Sequence, residues 1–252
     1  MMAEPRVDFI IAGVQKAGTT ALFDYLAEAP EVSLSREKET HFFDDDERDW
    51  ARPDYADYHA LFAPPDGRPR GEATPIYLYW PNALERIRAY NPAMKLIVVL
   101  RDPVQRAWSH WRMEYARGWE TQPFAWCVRQ GRMRLFDSPL PDAPWGFHRA
   151  FSYVERGFYG EQMERLFGLF PKEQVLALKA ETLQADPTSV LAEVRRFLSL
   201  PPATAAVEPR AVHVGREMDY GSELTDEDIV FLRRIYARDQ ARLASLTGIG
   251  FD

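Results

Sequence analysis

FIIAGVQKAGTTAL, residues 9–22, is the stretch on which the fold turns. Val7 to Ala12 is a short run of mainly apolar residues of the kind that forms a buried strand, and Thr19 to Ala29 reads as a helix with Leu22, Tyr25 and Leu26 along one face. Between them lies a loop containing Gly13 and Gly18. A strand that delivers the chain through glycines into a helix N-terminus makes an anion site. The first N–H groups of the helix point back at the loop, and the helix dipole favours negative charge there. Lys16 and the hydroxyls of Thr19 and Thr20 add donors. A tight strand-to-helix turn with a merely solvated lysine is the alternative that these residues leave open at this point.

The order differs from the nucleotide-triphosphatase loop G-x-x-x-x-G-K-[ST], because Lys16 precedes the second glycine instead of following it. A second strand-to-helix junction sharpens the difference. Lys95 to Leu100, KLIVVL, has no polar alternation and reads as a buried parallel strand. It runs into Arg101 before Asp102, so it does not deliver a magnesium-binding acid in the Walker-B manner. Pro103 opens a helix to about Arg117, since proline is tolerated where no intrahelical N–H bond is needed. If the strands 7–12 and 95–100 lie side by side, their C-terminal ends bring Lys16 and Arg101 to one crevice, where open α/β sheets bind ligands. Ser109, about two turns along the helix, is then within reach of the same anion. Arg106 and Arg112 carry no assignment and read equally as solvated.

Outward from these two junctions, Glu31 to Ser35 reads as a strand and the acid-rich segment Glu37 to Asp49 as a loop or irregular helix around His41, Phe42 and Phe43. Pro64 to Gly71 is a turn-rich linker internal to the domain. Further helices are expected at Asn82 to Tyr90, Tyr153 to Phe170, Thr188 to Leu198 and Thr225 to Leu246, with a strand at Val175 to Lys179. Residues 137–148, with three prolines followed by Trp145, Phe147 and His148, read as a mobile surface loop able to act as a lid. Alternating strands and helices predict an α/β fold, a central parallel sheet flanked by helices, in a single domain spanning 1–252.

Composition limits the function. A chain of 252 residues with 46% hydrophobic content can bury one substantial core. The net charge of −7 argues against a sequence-independent grip on nucleic acid. The single cysteine, Cys127, permits no intrachain disulfide and reads as a small buried hydrophobe. No cleavable leader is evident at the N-terminus, and the apolar runs fall far short of the roughly 20 residues that span a bilayer. A soluble, cytoplasmic protein is the expectation.

Taken together, Gln15-Lys16-Ala17-Gly18-Thr19-Thr20 and Arg101-Asp102-Pro103 followed by Ser109 resemble the 5′-phosphosulfate loop and the 3′-phosphate motif of the sulfotransferases that use 3′-phosphoadenosine 5′-phosphosulfate (PAPS). The branch that modifies heparan sulfate and its bacterial relatives is the most similar. Glu37-Lys38-Glu39-Thr40-His41-Phe42-Phe43-Asp44 resembles that branch's E-x-H-F-F-D segment, whose glutamate deprotonates the acceptor. The resemblance therefore implies a three-layer P-loop-like fold, Glu39 as base, His41 as its catalytic support and Asp44 as a supporting, acceptor-side residue. Val214-Gly215-Arg216 looks like the late loop over the 3′-phosphate, which assigns Gly215 and Arg216 to the donor. Arg156-Gly157-Phe158-Tyr159 is similar to another family stretch, in which Tyr159 reads as packing.

Departures accompany the matches. Ala73, in Gly71-Glu72-Ala73-Thr74-Pro75, stands where the heparan branch has a basic residue; Thr20 stands where it has arginine; and a terminal disulfide has no counterpart. A polyanionic acceptor is accordingly disfavoured, as the net charge also suggests. The implied reaction is in-line transfer of a sulfuryl group to a hydroxyl or amine, with Lys16 stabilising the leaving phosphate and no metal required. Small-molecule, lipid and saccharide acceptors all remain open, with Trp145 as a candidate acceptor contact. The competing classes are a P-loop nucleotide kinase, which needs magnesium and a triphosphate, and a noncatalytic module that binds 3′-phosphoadenosine 5′-phosphate (PAP).

Overall fold

The computed structural model describes residues 6–131, 133–136, 146–203, 207–209 and 218–251. Its elements are β1 (Phe9–Gly13), α1 (Thr19–Ala27), β2 (Ser33–Leu34), α2 (Ala56–Ala60), β3 (Arg70–Ala73), α3 (Ala83–Tyr90), β4 (Lys95–Leu100), α4 (Pro103–Ala116), α5 (Phe124–Gln130), α6 (Met133–Phe136), α7 (Phe147–Phe151), α8 (Tyr159–Leu169), β5 (Val175–Lys179), α9 (Ala180–Ala185), α10 (Pro187–Phe197) and α11 (Asp226–Thr247). The chain groups into two compact units, Met1–Leu100 with Leu166–Val212 and Arg101–Arg165 with His213–Asp252.

The first unit holds a five-stranded, all-parallel sheet of order β2-β3-β1-β4-β5. All five residues of β1 are buried, as are five of the six in β4, which is why unbroken apolar runs mark them. Each such Ile, Val or Leu contributes on the order of 2 kcal/mol by leaving water. Helix α1 packs against β1, β2 and β3, burying Leu22, Tyr25 and Leu26, while α9 and α10 pack on β5. The α/β class read from the sequence is the observed one. Strand β1 lies between β3 and β4, where the chain switches from one half of the sheet to the other, so the loop after Gly13 emerges at the switch point.

Strand β3 corrects the reading of 64–71 as a linker. Arg70 and Gly71 already belong to the strand, which the sequence conceals by placing Arg70 and Glu72 in it, both buried. Gly71 is required because the Phe9 ring lies over it, and a Cβ there would fall 2.1 Å from that ring. The second strand is also shorter than expected, Ser33–Leu34 alone. Helix α9 and the short helices α2, α5, α6 and α7 had no counterpart in the reading.

The second unit packs α4, α5 and α11 around Val104, Trp111, Phe124, Tyr153, Leu232 and Tyr236. The helix expected from Tyr153 begins only at Tyr159. Residues Glu155–Gly157 form a 3-10 turn instead, with Gly157 so close under Tyr236 that a Cβ would lie 2.5 Å from its ring. Asp239 of α11 then accepts from the N–H groups of Gly160 and Glu161 at 2.7 and 2.9 Å, capping α8 from outside. Helix α11 carries its own capping box, Thr225 with Asp228. Arg106 is fully buried and donates to the Tyr153 carbonyl, so it is not solvated. Cys127 is buried, and burial pushes its thiol up to about 12, in keeping with a packing role. Tyr159 is fully buried as well. No helix among the described residues is long and apolar enough to cross a membrane.

Candidate active site

The loop between β1 and α1 is built by backbone geometry. Gly13 must lack a side chain, since a Cβ would lie 2.9 Å from Leu78, whose N–H is bonded to Ala12 across the end of the strand. Lys16 has φ 73° and Gly18 φ 87°, both left-handed. Gly18 is the N-cap of α1 and provides no side-chain cap, so the first-turn N–H groups face the loop without one from that residue. Gln15, Lys16 and Thr20 are half-buried, Ala17 and Thr19 buried, and Gly18 exposed. This is a cradle that fits a phosphate group.

The acid-rich segment is fixed to the neighbouring strand. After β2, the Ser35 N–H bonds to the Gly71 carbonyl at 2.9 Å and the Glu39 N–H to the Ala73 carbonyl at 2.8 Å, so the segment follows β3 to its C-terminal end. Glu39 therefore stands at the same C-terminal end of the sheet as the loop after β1, in line with β2 and separated from β1 by β3. Its backbone is left-handed (φ 62°), as is that of His41 (φ 51°). Neither residue is glycine or asparagine, so each costs on the order of 1 kcal/mol that the surroundings must offset.

His41 Nδ1 lies 2.9 Å from Asp44 Oδ2, and His41 Nε2 lies 3.7 Å from Glu39 Oε2. Lys38 Nζ lies 2.6 Å from the other Glu39 oxygen. Partial burial alone would raise Glu39, but the nearby His41 and then Lys38 outweigh it and bring the carboxyl down to about 2. Burial opposes the His41 charge, yet the bond to Asp44 and then the nearby Glu39 carry it up to about 9. At neutral pH Glu39 is thus a carboxylate and His41 an imidazolium bonded to Asp44. Glu39 and His41 side chains are 42% and 32% exposed, whereas Asp44 is fully buried. Asp44 orients His41 and does not itself face solvent.

Beneath this segment lies a group that the sequence reading passed over. Tyr77, fully buried, accepts from the N–H groups of Phe42 and Phe43 at 3.0 and 3.3 Å and shares a bond with Thr40 Oγ1 at 3.0 Å. Glu72, also fully buried, accepts from Tyr58 at 3.2 Å and Thr74 at 2.6 Å. Burial raises its carboxyl, and the surrounding hydroxyls hold it to about 7. A charged residue inside a parallel strand was the available signal.

In the second unit, Arg101 and Ser109 are half-buried. Asp102 serves as the N-cap of α4, accepting from Gln105 N–H at 2.8 Å, with Pro103 at the first helical position. Arg112 lies over the Tyr220 ring at 4.5 Å. Trp111 is core, while Trp119 and Phe147 are exposed. Gly215, Arg216 and Trp145 lie outside the described residues, as do residues 137–145 of the expected lid; Phe147 and His148 belong to α7.

A family profile described as "Sulfotransferase domain" matches residues 6–214. Human heparan sulfate glucosamine 3-O-sulfotransferase 3B1 is 34% identical over 192 residues, covering 76% of this chain and 45% of that protein. Human heparan sulfate glucosamine 3-O-sulfotransferase 5 is 29% identical over 195 residues, covering 77% of this chain and 53% of that protein. The chain thus spans about half the length of the curated relatives it matches. The crystal structure of a sulfotransferase from Alicyclobacillus acidocaldarius superposes with a TM-score of 0.80 at 26% identity, covering 98% of both chains. The chain belongs to the sulfotransferase family.

Proposed function

We propose that this member of the sulfotransferase family transfers the sulfuryl group of PAPS to a hydroxyl, and that the acceptor is a saccharide or other small molecule with little negative charge. One observation carries the reading. The Gly18-capped loop follows β1 and the Glu39–His41–Asp44 group follows β2, the two strands that flank β3, so both lie at the C-terminal end of one parallel sheet, which supports a donor phosphate and a proton acceptor at that end. The names of the curated relatives favour a saccharide. Ala73 and Thr20, neither of them basic, and the net charge of −7 favour one less anionic than heparan sulfate.

In the proposed reaction the cradle of Gln15 to Thr20 holds the 5′-phosphate, and Lys16 stabilises the charge that develops there as the sulfur–oxygen bond breaks. The 3′-phosphate falls to Arg101, Ser109, Gly215 and Arg216 by motif. Glu39, ionised at any pH well above 2, accepts the acceptor's proton. So weak a base takes that proton late, when bond formation to sulfur has made the hydroxyl acidic. His41, held by Asp44, keeps an imidazolium beside Glu39 and fixes its direction.

The test is PAP release from PAPS in the presence of glucosamine, N-acetylglucosamine, a sulfated glucosaminide and 4-nitrophenol, without added metal. Release stimulated by an uncharged saccharide supports the full reading. Preference for the sulfated glucosaminide overturns the acceptor class. Magnesium-dependent turnover of a nucleoside triphosphate, or tight PAP binding with no transfer to any acceptor, overturns the reaction.

A further inference from the structure

His41 stands between residues that share one anchor. The N–H groups of Phe42 and Phe43 donate to the Tyr77 hydroxyl at 3.0 and 3.3 Å, and on the other side of His41 the Thr40 Oγ1 lies 3.0 Å from the same oxygen. Tyr77 is fully buried, its ring T-shaped to that of Phe43 with centroids 5.6 Å apart. Counting protons orders the three contacts. The two amides occupy the acceptor capacity of the phenol oxygen, so the hydroxyl proton goes to Thr40. Burial raises the phenol, which therefore keeps that proton throughout the neutral range. One buried oxygen thus bonds residues 40, 42 and 43 and brackets the residue between them.

The bracket matters because Glu39 and His41 both hold left-handed backbones, which persist only where the surroundings enforce them. Glu39 is pinned by its N–H bond to the Ala73 carbonyl at 2.8 Å, and the amides that follow His41 are pinned by Tyr77. The residue after Tyr77 is tied to the neighbouring loop. Leu78 donates its N–H to the Ala12 carbonyl at 2.9 Å and lies against Gly13, where the chain leaves β1. Two consecutive residues therefore fasten the Glu39–His41 segment with a side chain and the start of the loop after β1 with a backbone bond. We propose that Tyr77 is a positioning residue for the transfer reaction: its hydroxyl sets the backbone of residues 40–43, and with it the direction in which His41 and, through their contact, Glu39 are presented. The inference rests on the reading of Glu39 as base.

The decisive variant is Tyr77→Phe, which keeps the ring and removes the hydroxyl. Amide hydrogen exchange at Phe42 and Phe43 should accelerate about 10-fold, the scale of one lost hydrogen bond. With the best acceptor from the panel above, kcat should fall about 10-fold or more, as misplacement of a reacting group does. PAP affinity by calorimetry should stay unchanged, since the hydroxyl is bonded to residues 40–43. Tyr90→Phe is the matched control, because the buried Tyr90 hydroxyl accepts from the Val7 N–H at 2.9 Å, at the N-terminal end of β1. That variant should lose stability to urea yet keep wild-type kcat. Equal loss of turnover in the two variants overturns the proposal, since it marks a general weakening of the fold. Wild-type kcat in Tyr77→Phe overturns it too, as does unchanged exchange at both amides. Should Tyr77→Phe not fold, Thr40→Val takes its place: losing the half-buried Oγ1 should lower kcat about 3-fold, and wild-type kcat is the overturning result. Glu39→Gln measured alongside keeps the two readings apart. Wild-type turnover there defeats Glu39 as base, while exchange at Phe42 and Phe43 and the comparison with Tyr90→Phe still decide for or against Tyr77.

Discussion

Glu39 and Glu72 are carboxylates on adjoining backbone segments at one sheet edge, and their surroundings give them opposite chemistry. Glu39 is 42% exposed and sits between two cations, Lys38 and His41, which hold it at about 2. Glu72 is fully buried, its hydrogen-bond partners are hydroxyls, and it rises to about 7. The difference teaches that proximity to a reaction does not decide what a carboxylate does. The charged partners make Glu39 a permanent anion that can meet an acceptor, while burial among hydroxyls raises the Glu72 carboxyl and keeps it from solvent.

The contrast breaks first at Glu39. Glu39→Gln keeps the backbone and its bond to the Ala73 carbonyl but removes the proton acceptor, so kcat should fall about 10²–10⁴-fold with PAP affinity nearly unchanged. If turnover survives, Glu39 is only an ion-pair member and the distinction from Glu72 loses its functional content.

A smaller effect is expected one step back, at Asp44. Asp44→Asn replaces the carboxylate on His41 Nδ1 with a neutral amide, so the imidazole should drop from about 9 toward its ordinary value near 6.5, readable by NMR titration. The sign for stability follows. Because the folded His41 is raised, its contribution is complete below about 6.5 and is lost as pH rises through about 9. The variant should therefore lose most stability relative to wild type at acid and neutral pH and least above 9. Turnover at neutral pH should fall roughly 10-fold, since the imidazolium beside Glu39 is partly gone. An unshifted imidazole would show that Asp44 does not govern His41.

Legibility in the sequence follows the same division between local pattern and distant partner. Strands β4 and β5 were legible to the residue, because an apolar run such as KLIVVL has only one way to be buried in a parallel sheet. The glycine-bearing turn from β1 into α1 was legible because Gly13, Lys16, Gly18 and Thr19 lie together in one short stretch of chain. Strand β3 was hidden, since Arg70 and Glu72 disguise a fully buried strand as a polar turn. Glu39, His41 and Asp44 could be named only by resemblance; that Asp44 is buried behind His41 is a matter of packing. Glu72 with Tyr58 and Thr74, and Tyr77 with Thr40, are hydrogen-bonded from scattered positions, and no local periodicity records them.

The smallest expected effect tests the Glu72 half of the comparison through stability alone. Tyr58→Phe deletes the hydroxyl that donates to one Glu72 oxygen at 3.2 Å and leaves the ring in its stack with Phe42, centroids 4.8 Å apart. Raised above its unfolded value, Glu72 favours the folded state most below about 4.5 and progressively less as pH climbs through about 7, where the native carboxyl ionises. A hydrogen bond to the ionised form is worth about 1.5–3 kcal/mol and one to the neutral acid about 1 kcal/mol. Urea denaturation of Tyr58→Phe should then show a loss of roughly 1 kcal/mol at pH 5.5 and about twice that at pH 8.5. Equal losses at the two pH values would mean that Glu72 keeps one protonation state across neutrality. It would then resemble Glu39 in holding a fixed charge state, and the contrast between the two carboxylates would reduce to one of exposure.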